Sequence, residues 1–338
     1  MEIKVLGIDR GKTVCSLAGL DEAGAVVFRK RLQRHRLLDF LDKLPPCIVA
    51  MEACSGANHI WRFCLQNRHE PRLMSPLYVR PYVKVHKNDD RGAEAIAEAA
   101  THPTMSFVAI KSEEQFDLQA LHRARERLVS DRTRLINQGC GFLMEPGIRV
   151  GTRRHVFQKE LTRSAAEGAD DLSPRMLMLL SDMASELDVT NDRVADIDAE
   201  TKALAKTDAD MQRLMEIPGV GPTIATALVA AVGTGSSFRE GSDLAAWFGL
   251  VPRQVTTGGK AISKHGNRYL RKLFIHGART VQQLVRDRTT PITACADGLK
   301  ERAHVNVTAV AMANKMAGIA WAVLTKGKRY RPNALSGL

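Results

Sequence analysis

Val5-Leu-Gly-Ile-Asp-Arg-Gly-Lys12 is an apolar run closed by a carboxylate and a glycine turn. Such a run reads as a buried strand with Asp9 at its C-terminal end. Taken alone, Asp9 also suits a turn cap. Ile48-Val-Ala-Met-Glu-Ala-Cys-Ser-Gly56 repeats the plan, with Glu52 followed by the small residues Ala53, Ser55 and Gly56. A glutamate after four apolar residues is partly buried, and burial without a cation raises its pKa and costs free energy. A metal ion resolves that conflict, as does a salt bridge to Lys or Arg. Lys87-Asn-Asp-Asp-Arg-Gly-Ala-Glu-Ala-Ile96 then sets Asp89, Asp90 and Glu94 at the start of an Ala- and Glu-rich helix. Carboxylates gathered from separate strands and a helix are how proteins hold paired Mg²⁺ ions for phosphodiester chemistry.

One ligand position of that plan is empty. A second helical carboxylate belongs one turn after Asp89, but residue 92 is Gly92 and residue 93 is Ala93. Asp89 also suits a helix N-cap. Asp90 and Glu94 stand four apart and share a helix face, so they are the candidates for a displaced ligand. One residue of helix rotates that face by about 100°.

Outward from these stretches, residues 1–110 alternate strand and helix. Ile3–Ile8 and Val26–Lys30 read as strands around a turn at Asp21–Gly24, followed by a helix over Leu37–Leu44. A strand over Cys47–Glu52, an amphipathic Ala57–Asn67, a short strand Arg72–Ser75 and the helix Arg91–Ala100 complete an α/β layer pattern. Residues 111–206 read as helical and elongated. Leu121, Leu128 and Leu135 recur every seven residues. Leu180, Leu187, Val194 and Thr201 form one seam of a longer series, and Met183, Thr190, Ile197 and Leu204 the other. This coiled-coil pattern predicts a dimerisation arm, with a helical hairpin within one chain as the alternative. The polar, Gly-containing Gly147–Ser173 between the two series reads as a loop or linker. Residues 207–330 read as a second helical unit, with basic amphipathic helices over Tyr269–Arg286 and Val305–Leu324, and 331–338 as a tail.

The net charge of +12 is not spread evenly. Residues 251–338 hold 16 Lys and Arg against 3 Asp and Glu, which leaves 33 against 34 in residues 1–250. The basic excess therefore belongs to the C-terminal quarter, where it is interleaved with helical apolar residues, and nucleic acid is the expected polyanion partner. The six cysteines include no C-x-x-C pair, which argues against a zinc site and a disulfide framework. With no apolar run of about 18 residues and no signal-peptide pattern, the expectation is a cytoplasmic protein without a membrane span.

Two C-terminal stretches carry further chemistry. Ile217-Pro-Gly-Val-Gly-Pro222 has the form of a helix-hairpin-helix, in which Gly219 and Gly221 offer backbone N–H groups to a phosphate oxygen. An ordinary helical hairpin has the same spacing. Thr256-Thr-Gly-Gly-Lys260 sets two hydroxyls beside Gly258, Gly259 and Lys260. Arg253, Lys264, Arg268, Arg271 and Lys272 flank it as candidate phosphate contacts. From spacing alone the stretch is a phosphate-binding loop or, if a proton acceptor is near, a nucleophile site.

Together, residues 7–12, 51–57, 80–89, 93–100, 121–128, 217–222, 244–254, 256–260 and 267–273 resemble the DEDD transposases of the IS110 family, IS1111 subgroup, and the related Piv invertases. The resemblance spans essentially the whole chain. It implies a RuvC-like ribonuclease-H-fold domain over 1–110, a coiled coil and dimerisation region over 111–206, and a transposase domain with a helix-hairpin-helix over 207–330. It implies Mg²⁺ on Asp9, Glu52 and Asp89, with the fourth acid position falling on Gly92. It places the hydroxyl nucleophile at Thr257, with Thr256 as the alignment alternative. It implies donor and target DNA, a guide non-coding RNA, and homodimers that pair into tetramers. The sequence departs from the family plan at Gly92, in having threonine where serine is common, and in a short stretch between Lys260 and Ser263. These departures keep open a nucleic-acid-binding regulator without catalysis. A Holliday-junction-type resolvase is the weaker rival, because it has no use for the Thr256–Lys260 stretch.

Overall fold

The computed structural model describes residues 2–83, 89–151, 154–167, 172–252, 262–284, 297–301 and 303–331. The chain divides into two units, residues 1–112 and 113–338.

The first unit is built on a five-stranded mixed sheet. Its strands are β1 (Val5–Arg10), β2 (Val14–Leu20), β3 (Val26–Gln33), β4 (Ile48–Glu52) and β5 (Glu70–Met74), in the order β3-β2-β1-β4-β5. β1, β2 and β3 pair antiparallel, whereas β4 and β5 continue parallel from β1. The strand β2 is a correction to the sequence reading, which placed the Asp21–Gly24 turn directly between the first two strands. That turn joins β2 to β3 and is closed by Asp21, whose Oδ1 accepts from the N–H groups of Ala23 and Ala25.

Side-chain parity decides what each strand shows to each face. Leu6 and Ile8 join Val49 and Met51 in a core closed by α1 (Leu37–Asp42) and α2 (Ala57–Gln66). Val5 and Ala50 join the other core, closed by α4 (Asp89–Thr101) and flanked by α3 (Pro76–Val79). The helix α4 is alanine-rich on its buried face because it lies close to the sheet. A Cβ built on Gly7 would meet the Ala97 nitrogen at 2.7 Å and the Ala97 Cβ at 2.9 Å.

The second unit is helical. Its long helices are α5 (Glu113–Met144) and α7 (Pro174–Thr207), with α6 (Arg154–Glu167) between them. The helix α6 corrects the linker reading of 147–173: Phe157 is buried against Gly139 of α5 and Met183 of α7. Arg125 and Arg132 of α5 reach Asp198 and Asn191 of α7, so the two helices run antiparallel within one chain. Leu135, Leu143, Leu180, Met183 and Leu187 share one core, which is the hairpin alternative for the heptads. A larger core gathers α8 (Ala209–Met215), α9 (Pro222–Val232), α10 (Gly241–Phe248), α11 (Arg268–Leu284) and α12 (Val305–Lys326). The helix α12 is a core helix rather than a basic amphipathic one, with Ala309, Met312, Ala313, Met316, Ala317 and Ala320 all buried. The helix has 22 residues and a window of mean hydropathy 1.5, long and apolar enough to cross a membrane, and its place in the core accounts for that composition.

Candidate active-site residues

The parity that sorts the first unit's cores also sorts its acids. Asp9 lies two residues beyond Gly7 on β1, and Glu52 two beyond Ala50 on β4, so both stand on the α4 face. The last paired residues of these parallel strands are Ile8 and Met51. Asp9 and Glu52 are the next residue on each, at the C-terminal edge of the sheet. Both are half-buried, and both make polar contacts within the protein. A Cβ built on Gly92 would collide with the Asp9 carboxylate, whose Cγ is 3.1 Å away. Position 92, where the family plan has its fourth acid, therefore faces Asp9 directly, and the glycine lets α4 settle onto it.

Asp89 is the first residue of α4, one turn before Gly92. The side chains of Asp89 and Asp90 lie outside the described residues. Glu94 has another partner. Its Oε1 accepts from Arg29 Nε at 2.6 Å, and Arg29 sits on β3, the edge strand on the far side of β1 from Glu52. The structure thus turns Glu94 away from Glu52. Among the described residues, no three His, Cys, Asp or Glu side chains gather as a metal-binding group. The donors present are carboxylate oxygens on neighbouring strand ends, a set that fits Mg²⁺, which takes one or two carboxylates and keeps several waters.

In the second unit, Arg253, Thr256, Thr257, Gly258, Gly259 and Lys260 lie outside the described residues, but the stem that carries them is defined. Pro252 and Ile262 form an antiparallel bridge, and Ser263 N–H donates to Val251 O at 2.9 Å. Asn267 N–H donates to Trp247 O at 2.9 Å, and the Asn267 side chain caps α11 by accepting from Leu270 N–H. The described chain on the two sides of residues 253–261 is thus paired. Two of the expected phosphate contacts are engaged inside the unit. Arg271 Nη1 donates to Phe248 O at 3.0 Å, capping α10, and Lys272 Nζ donates to both Glu126 oxygens at 2.6 Å. Lys264 and Arg268 are exposed. Gly221 opens α9 with free space around it. Gly219 has φ +83°, and a Cβ there would lie 2.6 Å from the Gly277 carbonyl oxygen. Its need for glycine comes from packing on α11. The hairpin lines a cleft of about 580 Å³ together with Arg125, His276 and Thr280.

Beneath the stem lies a buried polar relay that the sequence reading missed. Tyr269 OH is 3.1 Å from His122 Nδ1, and His122 Nε2 is 2.9 Å from Thr226 Oγ1, which donates to Pro222 O at 2.7 Å. Because the Thr226 proton goes to Pro222, Nε2–H donates to Thr226 and Nδ1 accepts from Tyr269. Burial drives the His122 pKa down to about 4, with Arg125 adding to the fall. Burial also pushes Tyr269 up to about 12. A lone His on the heptad helix and a Tyr at the start of α11 gave no sign in sequence that they meet.

Two family models match the chain: a DEDD transposase model of the IS110 type over residues 6–145, and one described as the transposase IS116/IS110/IS902 family over residues 211–290. The chain is 42% identical over 337 residues to a transposase for insertion sequence element IS1111A of Coxiella burnetii, covering 98% of this chain and 93% of that one. It is 38% identical to a transposase for insertion sequence element IS1328 of Yersinia enterocolitica, covering 96% and 98%. A pilin gene-inverting protein of Moraxella bovis is 24% identical over 204 residues, covering 58% and 53%.

Proposed function

This chain belongs to the IS110 family of insertion-sequence transposases, DNA-processing enzymes, and from that premise we propose that it carries out Mg²⁺-dependent, RNA-guided cleavage and strand exchange through a hydroxyl nucleophile. The observation that carries the proposal is the meeting of Asp9 and Glu52 on the α4 face, with Asp89 opening that helix. In this reading Asp9, Glu52 and Asp89 hold Mg²⁺, which when bound supplies charge neutralisation at the reacting phosphate. Thr257, or its neighbour Thr256, forms the new P–O bond as the DNA P–O bond breaks. The hydroxyl proton passes to solvent or a nearby base, and the departing strand leaves as a free hydroxyl. Arg253, Gly258, Gly259, Lys260, Lys264 and Arg268 hold backbone phosphates, as does the open N-terminus of α9 at Gly221. Residues 1–110 act as the RuvC-like nuclease domain and 207–330 as the transposase domain. The helices between bring two chains together, and dimers pair into tetramers on donor DNA, target DNA and a guide RNA.

The test is strand cleavage and covalent-adduct formation with flanking RNA, donor DNA and Mg²⁺, comparing the native chain with Thr257→Ala, Thr256→Ala and Gly92→Asp. Adducts in the native chain that vanish in Thr257→Ala support the reading. A complete lack of cleavage even in Gly92→Asp would overturn it. The close seating of Gly92 on Asp9 also favours a second reading, a nucleic-acid-binding derivative without catalysis. Salt-sensitive binding that survives Asp9→Ala, with no cleavage by the native chain, distinguishes it.

A further inference from the structure

Beside the acids, on the other face of the same strand ends, two arginines converge. Arg10 follows Asp9 on β1, and its Nη2 donates to Ser55 O at 2.5 Å in the loop after β4. Its Nε and Nη1 are buried and have no partner among the described residues. Arg34 begins the connection from β3 to α1, where its N–H donates to Thr13 O at 2.9 Å. A Cβ built on Gly56 would lie 3.1 Å from Arg10 Nη2 and 3.2 Å from Arg34 Nη2. Gly56, at φ +81°, thus adds no side chain where both guanidiniums approach its backbone. Neither arginine has an ion pair among the described residues. Two like charges repel, and buried guanidinium N–H groups without acceptors carry an unmet desolvation penalty. One anion with several oxygens held between the two Nη2 groups relieves the repulsion, and planar, forked guanidiniums match a phosphate.

We infer that Arg10 and Arg34, over Gly56, form a phosphate-holding site for the nucleic-acid backbone next to the nucleotide being processed. This deepens the proposed function and rests on it for the identity of the ligand, though not for the existence of the anion site. Because Asp9 and Arg10 are consecutive, they point to opposite faces of one strand end. The arginine pair therefore holds a flanking phosphate, not the one between the acids. The charge count pointed only to the C-terminal quarter, so this places a nucleic-acid contact where composition gave no hint.

The experiment has two arms, with Arg36→Met as the control for loss of a nearby exposed arginine. In the first, melting of the native chain is followed with and without inorganic phosphate at constant ionic strength. The expected result is a phosphate-dependent rise on the order of 2 °C, lost in Arg10→Met and in Arg34→Met and kept in Arg36→Met. Equal responses in native and double variant, or none in either, would overturn the site. In the second arm, affinities for single-stranded DNA and RNA oligonucleotides are measured against salt. Arg10→Met and Arg34→Met should each lower the salt slope by about 1, and the double variant by about the same, because both hold one phosphate. A loss on DNA alone, on RNA alone or on both says which backbone the site holds, and no loss on either overturns the nucleic-acid assignment. If the chain neither cleaves nor binds oligonucleotides yet keeps the Arg10-dependent phosphate response, the proposed function fails while the anion site stands.

Discussion

Gly92 is the residue on which the two proposed readings divide. A Cβ there would collide with the Asp9 carboxylate, so a carboxylate at 92 would bring two negative charges and extra volume into one contact. We expect Gly92→Asp to lower stability in the presence of a chelator by about 1–3 kcal/mol. Added Mg²⁺ should restore it, since a cation between the acids relieves the repulsion. Urea denaturation with and without Mg²⁺ reads this directly, and a Gly92→Asp chain indifferent to Mg²⁺ would argue against any metal at Asp9. Gly219 is decided differently. Its φ of +83° and its contact with the Gly277 carbonyl predict that Gly219→Ala costs about 2–4 kcal/mol. Gly221→Ala, with open space around it, should cost far less in the same measurement.

Among the elements, the relay from Tyr269 through His122 to Thr226 joins α11, α5 and α9 with bonds that each run one way. The buried His122 stays neutral in the folded protein down to about pH 4, whereas in the unfolded chain it takes a proton near its ordinary value of 6.5. The unfolded state therefore binds more protons between those values. Stability should fall as pH drops from about 6.5 to about 4, by on the order of 3 kcal/mol. The drop should be largely absent in His122→Gln, as denaturation midpoints across that range will show. How legible these elements were follows from what sets each one. β1 and β4 were readable because apolar runs ending in Asp9 and Glu52 carry their own signal. The strand β2 was missed because Val14–Leu20 contains Cys15, Ser16 and Gly19, which break the pattern, and its burial comes from neighbours on both sides. The helix α6 was missed because its sequence is polar and, among its described side chains, only Phe157 and Leu161 are buried, against a glycine and a methionine far away in the chain. The heptads marked helices correctly but could not say whether their partner was this chain or another. Glu94 shared a face with Asp90 by spacing, yet only the sheet order brought Arg29 to it.

For the whole molecule, the basic excess in 251–338 predicts a strongly salt-dependent grip on nucleic acid. Affinity should fall roughly 10³-fold between about 50 and about 200 mM salt, equally for the native chain and Asp9→Ala. A flat salt response would mean that the charge serves some other purpose. The two units have separate cores, so calorimetry should resolve two transitions rather than one. The acids belong to one unit, and the stem that carries Thr257 belongs to the other. Warming past the lower transition would then remove one half of the proposed reaction's equipment while the other remains folded. Should the unit with the acids melt first, the proposed cutting would be lost while the basic C-terminal quarter still held a strand, a conditional enzyme without any mutation.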